Sequence, residues 1–232
     1  MLDAPPTVQV PVGDPDALYR DRESLDSATR AAALWAARLK AAPDDFDAAW
    51  KLARAQYWLG TNGLPRDRRR RALEEGVAAA RTAATLEPGR PEGHFWLAAT
   101  MGALADGFGM RQGLRYRRPI KEALERVLAI DPAFQQGSAD RALGRWYHRV
   151  PGMFGGSREK AETHLRKALA YDEQSIITRL FLAELLIDED RPGEAREQLT
   201  LALSAPVSPE WAPEDRRFKQ QARALLETLS RQ

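Results

Sequence analysis

The stretch Ala161-Glu162-Thr163-His164-Leu165-Arg166-Lys167-Ala168-Leu169-Ala170-Tyr171-Asp172-Glu173 decides how this chain folds. Ala161, Leu165 and Ala168 stand at 0, +4 and +7, one face of a helix, and an acidic residue closes the phrase at +12. The phrase recurs. Ala31, Trp35, Arg38 and Pro43 keep the same spacing, as do Gly76, Ala80, Ala83 and Pro88, then Ile120, Leu124, Val127 and Pro132, then Ala195, Leu199, Ala202 and Val207. The phrases start at 31, 76, 120, 161 and 195, at intervals of 45, 44, 41 and 34 residues. Between them lie partner segments carrying Trp50 and Tyr57, then His94, Leu97 and Met101, then Arg141 and Arg145, then Leu182 and Leu186.

The last interval equals the period of the tetratricopeptide (TPR) repeat, and the longer ones read as the same unit with 7 to 11 residues inserted. The chain is therefore expected to be all-α, with TPR-like helical-hairpin repeats forming an α-solenoid. The partner segments supply helix A and the phrases helix B. One helix pair cannot bury its apolar face alone, so neighbouring pairs stack around a shared core. Composition agrees: 39 Ala and 28 Leu against 7 Val and 5 Ile exclude a large sheet. Ala83, Ala168 and Ala202 suit close helix approach, and Pro213 to Leu229, with Phe218, Ala222, Leu225 and Leu229 on one face, should cap the open end. Pro5, Pro6, Pro11 and Pro15 make residues 1–15 an expected extended tail before a solenoid domain over 16–232. The insertions, Gly60 to Arg71, Asp106 to Pro119 and Val150 to Ser157, are expected as long loops between helix A and helix B.

Several function classes are excluded or left without support. The 35 Lys and Arg face 33 Asp and Glu, so a net charge of +2 does not steer the chain onto nucleic acid. No cysteine is present, which excludes disulfides, zinc-thiolate sites and a cysteine nucleophile. The longest uncharged run through the apolar middle, Gly93 to Ala105, has 13 residues and is too short to span a bilayer. His94, His148 and His164 fall on different repeats without a ligand-like or triad-like neighbour, so neither metal nor catalysis is expected. Gly107 to Gly113 has neither a preceding strand nor phosphate-loop spacing and reads as a flexible loop. No cofactor is expected.

Three segments carry a family resemblance: Glu92-Gly93-His94-Phe95-Trp96-Leu97-Ala98, then Leu143 to Gly152, then Phe154-Gly155-Gly156-Ser157-Arg158-Glu159-Lys160-Ala161. Over roughly Asp16 to Leu229 the chain resembles the TPR-containing T component of tripartite ATP-independent periplasmic (TRAP) transporters. The first two segments are also similar to the regulator-of-microtubule-dynamics TPR proteins. The former resemblance implies a periplasmic, often lipid-anchored helper that assembles with a solute-binding protein and can hold an apolar ligand. An intracellular TPR scaffold is the alternative, and a homo-oligomer is compatible with either. The start at Met1 has no basic region followed by an apolar one, and fits a start placed after a removed export signal.

Two sets of residues are candidates for binding. In the TPR family, helix A positions 2, 5, 9, 12 and 13 point into the concave groove. Here they give Lys51, Trp58 and Leu59, then Phe95, then Leu143, Trp146 and Tyr147, then Ile177, Leu180 and Ile187, an apolar and aromatic set suited to an apolar ligand or hydrophobic partner segment. The same side chains could instead pack on one another as core. Arg145 would be a polar anchor at the groove edge, or pair with an acid such as Glu159. The second set is basic: Arg68, Arg69, Arg70 and Arg71, with Asp67 as cap, and the loop residues Arg111, Arg115, Arg117 and Arg118. Between Gly60 and Pro119 there are 11 arginines and 6 acids. Cations in a first helical turn oppose the macrodipole, so the placement of Arg68 to Arg71 fits docking of an acidic partner or anionic surface; the alternative is a plain solvated face.

Overall fold

The computed structural model describes residues 13–231. Its helices are α1 (Pro15–Arg20), α2 (Leu25–Ala41), α3 (Phe46–Thr61), α4 (Arg66–Leu86), α5 (Pro91–Gly107), α6 (Met110–Ile130), α7 (Ser138–Arg149), α8 (Arg158–Tyr171), α9 (Ile176–Asp188), α10 (Pro192–Ser204) and α11 (Ala212–Leu229). A single 3-10 turn, Gly152–Phe154, lies between α7 and α8. No strand occurs among the described residues. Most of the tail expected over 1–15 lies outside them, and Pro15 is already the first residue of α1.

Local chemistry sets the helix ends. Ser24, Asp45 and Ser157 each accept a hydrogen bond from the backbone N–H three residues on, which starts α2, α3 and α8. Pro43, Pro88 and Pro132 follow the ends of α2, α4 and α6, where a missing N–H prevents continuation. The recurring phrases fall on α2, α4, α6, α8 and α10, and consecutive helices pack as hairpins that stack into a solenoid. The interface residues are nearly all sealed: Ala31, Trp35, Ala80, Ala83, Val127, Ala161, Leu165, Ala168, Ala195, Leu199 and Ala202 have no exposed surface. Glycine allows backbone to meet backbone between α4 and α5, at Gly93. A Cβ there would lie 2.5 Å from the Ala84 backbone nitrogen, so α5 sits directly on α4.

Two of the expected loops are helices. The insertion 60–71 is crossed by a short connection after α3, and 106–119 by a turn after α5; the remaining residues lengthen the following helix. Thus α4 and α6 have 21 residues, whereas α8 has 14 and α10 has 13. Arginine is a good helix former, so an arginine-rich insertion extends a helix readily. α6 continues through Pro119 with Tyr116, Ile120 and Ala123 buried on one side, while Trp146 Nε1 donates to the Arg117 carbonyl at 2.9 Å. Only Val150 to Ser157 remains a connection, closed by the Ser157 N–H donating to the Tyr147 carbonyl.

The solenoid curls until its two ends meet. α11 packs on α9 and α10, and its start reaches the turn between α1 and α2. There Arg22 donates through Nη2 to Glu214 Oε2 at 2.6 Å, through Nε to Glu214 Oε1 at 3.1 Å, and through Nη2 to the Glu210 carbonyl at 2.7 Å. The guanidinium is 4% exposed and lies among the rings of Tyr19, Trp58 and Trp211. Arg216 pairs with Glu23 at 2.5 Å, and Arg217 donates to Asn62 Oδ1 at 2.6 Å. α11 is therefore both an end cap and a closing element.

Candidate functional site

The aromatic helix A residues are core. Trp58, Phe95, Leu143, Trp146, Tyr147 and Leu180 are all buried, and Ile177 and Ile187 are half-buried. The indole donors among them have internal uses. Trp58 Nε1 donates to the Arg22 carbonyl at 2.7 Å; Trp146 is tied to α6 as described above. The Trp146 and Tyr147 rings meet edge to face, and Phe95 does the same with Trp96 and Phe134. A curl tight enough to bring α11 against the first repeat leaves these side chains packed on one another. Arg145 is no free anchor: it pairs with Glu184 of α9, not Glu159, and lies 4.5 Å over the Phe181 ring.

The histidines are also taken up structurally. His94 Nε2 contacts the Pro88 carbonyl at 3.1 Å, and His148 Nε2 contacts Asp188 Oδ2 at 2.8 Å. His164 Nδ1 lies 2.6 Å from buried Asp140 and its ring stacks on Tyr147. His148 and His164 thus belong to the two helices of one hairpin, not to separate repeats. No cluster of metal-ligating side chains occurs among the described residues, and no helix there is long and apolar enough to cross a membrane.

The arginines behave differently. Arg68, Arg69, Arg70 and Arg71 lie in the first two turns of α4, whose N-cap is Pro65, with Asp67 inside the first turn instead of capping it. Arg111, Arg115, Arg117 and Arg118 lie on α6, not in a loop; that helix starts from Gly109 at φ 90° with no side-chain cap and no acidic residue in its first turn. Arg69 donates to the Gly60 carbonyl at 2.9 Å, and Arg70 and Arg118 pair one turn along with Glu74 and Glu122. Among the described residues, Arg68, Arg71, Arg111 and Arg115 have no carboxylate partner. Arg70 of α4 and Arg111, Gln112 and Arg115 of α6 line one cleft of about 610 Å³ with Phe108. Arg115 is shared with a second cleft of about 320 Å³, lined also by Arg81, Val77 and Tyr116.

Sequence reasoning missed what accompanies these charges. Met110 is 83% and Leu114 49% exposed on α6, one helical turn apart, and Met153 is 85% exposed on the 3-10 turn. Phe154, also exposed, lies beneath Arg117, 5.1 Å from guanidinium to ring. The i, i+4 spacing of Met110 and Leu114 is visible in the sequence, but such spacing has no meaning in a loop. The Arg22–Glu214 contact was likewise missed, because nothing local to Asp21-Arg22-Glu23 distinguishes it from surface charge.

The architecture is that of a TPR protein. A thermophilic TPR protein from Thermus thermophilus, TTC0263, superposes with a TM-score of 0.68 at 24% identity, over 91% of this chain and 97% of that one. MamA superposes with a TM-score of 0.55 at 15% identity, over 90% and 98%. MamA from Desulfovibrio magneticus RS-1 gives 0.55 at 19%, over 83% and 96%. At these identities the likeness concerns the fold. The TRAP transporter T-component family model matches residues 93–231, and the chain belongs to that family. The model for regulator of microtubule dynamics protein 1-3 matches residues 14–155, so the N-terminal repeats are related to that group as well. No curated protein is significantly similar in sequence.

Proposed function

We propose that this chain is a non-catalytic, periplasmic adaptor of a TRAP transport system, which docks a solute-binding protein through the arginine-bearing starts of α4 and α6. The observation that carries this is the convergence of Arg70, Arg111 and Arg115 on one cleft, with Arg111 and Arg115 lacking acidic partners among the described residues. Helix stability does not favour cations at Arg68 and Arg111, which lie in the first turns of α4 and α6 at the positive ends of two dipoles. A partner presenting carboxylates supplies the missing counter-charge and would be steered toward this edge. The family match supports the transport association. Burial of Trp146, Phe95 and Leu180 favours this outer docking mode over an apolar ligand in the concave groove.

The test is association with TRAP-class solute-binding proteins by surface plasmon resonance at several salt concentrations. The triple variant Arg70→Glu, Arg111→Glu and Arg115→Glu should fold normally, associate at least about tenfold more slowly and show a weaker salt dependence. Unchanged kinetics would return these arginines to a solvated face.

A further inference from the structure

We infer that the α4/α6 seam receives an acidic polypeptide segment carrying an apolar anchor side chain. This rests on the docking reading above and specifies what the partner must present.

Shape, charge and apolar content each restrict the occupant. The binding surface is concave, with Arg70 on one helix opposite Arg111 and Arg115 on the other. A concavity between two helices admits a chain. The two clefts share Arg115 and run beside α4 from Arg70 to Arg81, a rise of about 16 Å. That length suits about five extended residues or about three helical turns. Within it the one acidic lining residue, Glu74, pairs with Arg70, so the net demand is for negative charge.

Charge alone would not need the rest. Phe108 forms part of the first cleft with Arg66 over its ring at 5.8 Å, and Val77, Ala78 and Tyr116 line the second; the exposed Met110 and Leu114 of α6 lie outside both linings. Aromatic rings and a small apolar floor beside guanidinium groups are the surface that buries an apolar anchor while the surrounding arginines hold carboxylates. A purely polyanionic ligand would leave that apolar surface wet.

The proposal is tested with the full chain and three fluorescently labelled twelve-residue peptides. One is rich in Asp and Glu with a central Leu-x-x-Phe pair, one has both apolar residues replaced by Ser, and one keeps them but has Gln and Asn in place of the acids. The first peptide should bind at least about tenfold more tightly than either other, an anchor-sized difference. Phe108→Ser should remove the advantage over the anchorless peptide, and Arg111→Glu with Arg115→Glu the advantage over the neutral one. Circular dichroism would show both variants folded. Equal binding of the first two peptides would overturn the anchor; binding to anionic phosphatidylglycerol vesicles without any peptide binding would overturn the polypeptide occupant. If peptides fail while the solute-binding protein still associates in an Arg111- and Arg115-dependent way, this inference falls and the adaptor reading stands.

Discussion

The closure at Arg22 and the edge at Arg111 use the same side chain to opposite ends. Arg22 has a bidentate carboxylate, a backbone carbonyl and three rings around it. Burial opposes its charge, but the hydrogen bonds to Glu214 more than offset that, and the group is held more firmly protonated than a free guanidinium. Arg111 and Arg115 are exposed, lie near an uncapped helix start and have no carboxylate partner among the described residues. Counting arginines therefore says little; the number of converging partners separates an internal fastener from a free docking charge. Arg54 stands nearer the first kind, 4.0 Å over the Tyr19 ring, with burial pulling its guanidinium below the usual value.

Breaking the fastener should cost most. Arg22→Met leaves Glu214 in its 15% exposed position without a counter-charge, and loss of one partner of a buried pair costs roughly 3 to 5 kcal/mol. Urea unfolding should show it. Replacing both partners, Arg22→Met with Glu214→Leu, should recover most of the loss, because an apolar contact of similar volume avoids desolvating two ions. No recovery would mean that the carbonyl and ring contacts of Arg22 carry the closure.

Next in size is Trp146, the link between the packed concave side and the arginine edge. Trp146→Ala should cost about 3 kcal/mol, since it deletes a ring that is only 8% exposed. It also removes the donor to the Arg117 carbonyl, so hydrogen exchange should speed up in α6 around Arg117 more than in α9. A modest stability loss with uniform exchange would indicate that the ring lines an accessible surface instead.

A smaller effect tests an arginine between the two extremes. Arg38 is half exposed and donates at 2.5 Å to Asp45, the N-cap of α3. Burial raises the Asp45 pKa, but the Ala48 N–H and Arg38 together pull it below the usual carboxylate value. A pKa lower in the folded than the unfolded chain means the stabilisation is complete above the ordinary Asp range and is lost as pH falls through that range to the depressed value. Asp45→Ala should therefore cost about 1 kcal/mol at about pH 7 and progressively less in acid. A cost that stays constant between neutral and strongly acidic pH would remove ionisation from the account.

The repeats were legible because their information is local. Apolar spacing placed α2, α4, α6, α8 and α10, with prolines following the first three, and the cap Phe218, Ala222, Leu225 and Leu229 falls on α11. Whether an insertion loops out or lengthens a helix was not legible: Gly60 to Arg71 and Asp106 to Pro119 read as loops, yet α3 contains Gly60 and α6 contains Gly113 and Pro119. Closure was hidden for a different reason. Arg22 and Glu214 are 192 residues apart, and their meeting depends on the curvature summed over every intervening repeat. The same curvature decides whether Trp146 and Phe95 face a groove or the packed core. Of the candidate site, the arginines were readable as a local charge excess, whereas the convergence of Arg70, Arg111 and Arg115 with Phe108 required two separate helices to be placed side by side.

The weakest of these perturbations discriminates best between fastener and docking charge, because its sign differs from the rest. Arg68 is exposed in the first turn of α4, has no carboxylate partner among the described residues, and faces backbone N–H groups that no side chain caps. If it serves the fold, Arg68→Glu should destabilise. If the arginines at this edge are held against helix electrostatics for the sake of a partner, the same change exchanges an unfavourable charge for a favourable one and should stabilise by roughly 0.3 to 1 kcal/mol at low ionic strength. The gain should shrink at about 1 M salt, where the screening length falls to about 3 Å. Arg69 provides the internal control: it donates to the Gly60 carbonyl, so Arg69→Glu should lose that bond and gain less or nothing. Thermal melts of the two variants at low and high salt separate these outcomes. A destabilised Arg68→Glu would place the edge with Arg22 among the fasteners and remove the ground for treating its charge as free.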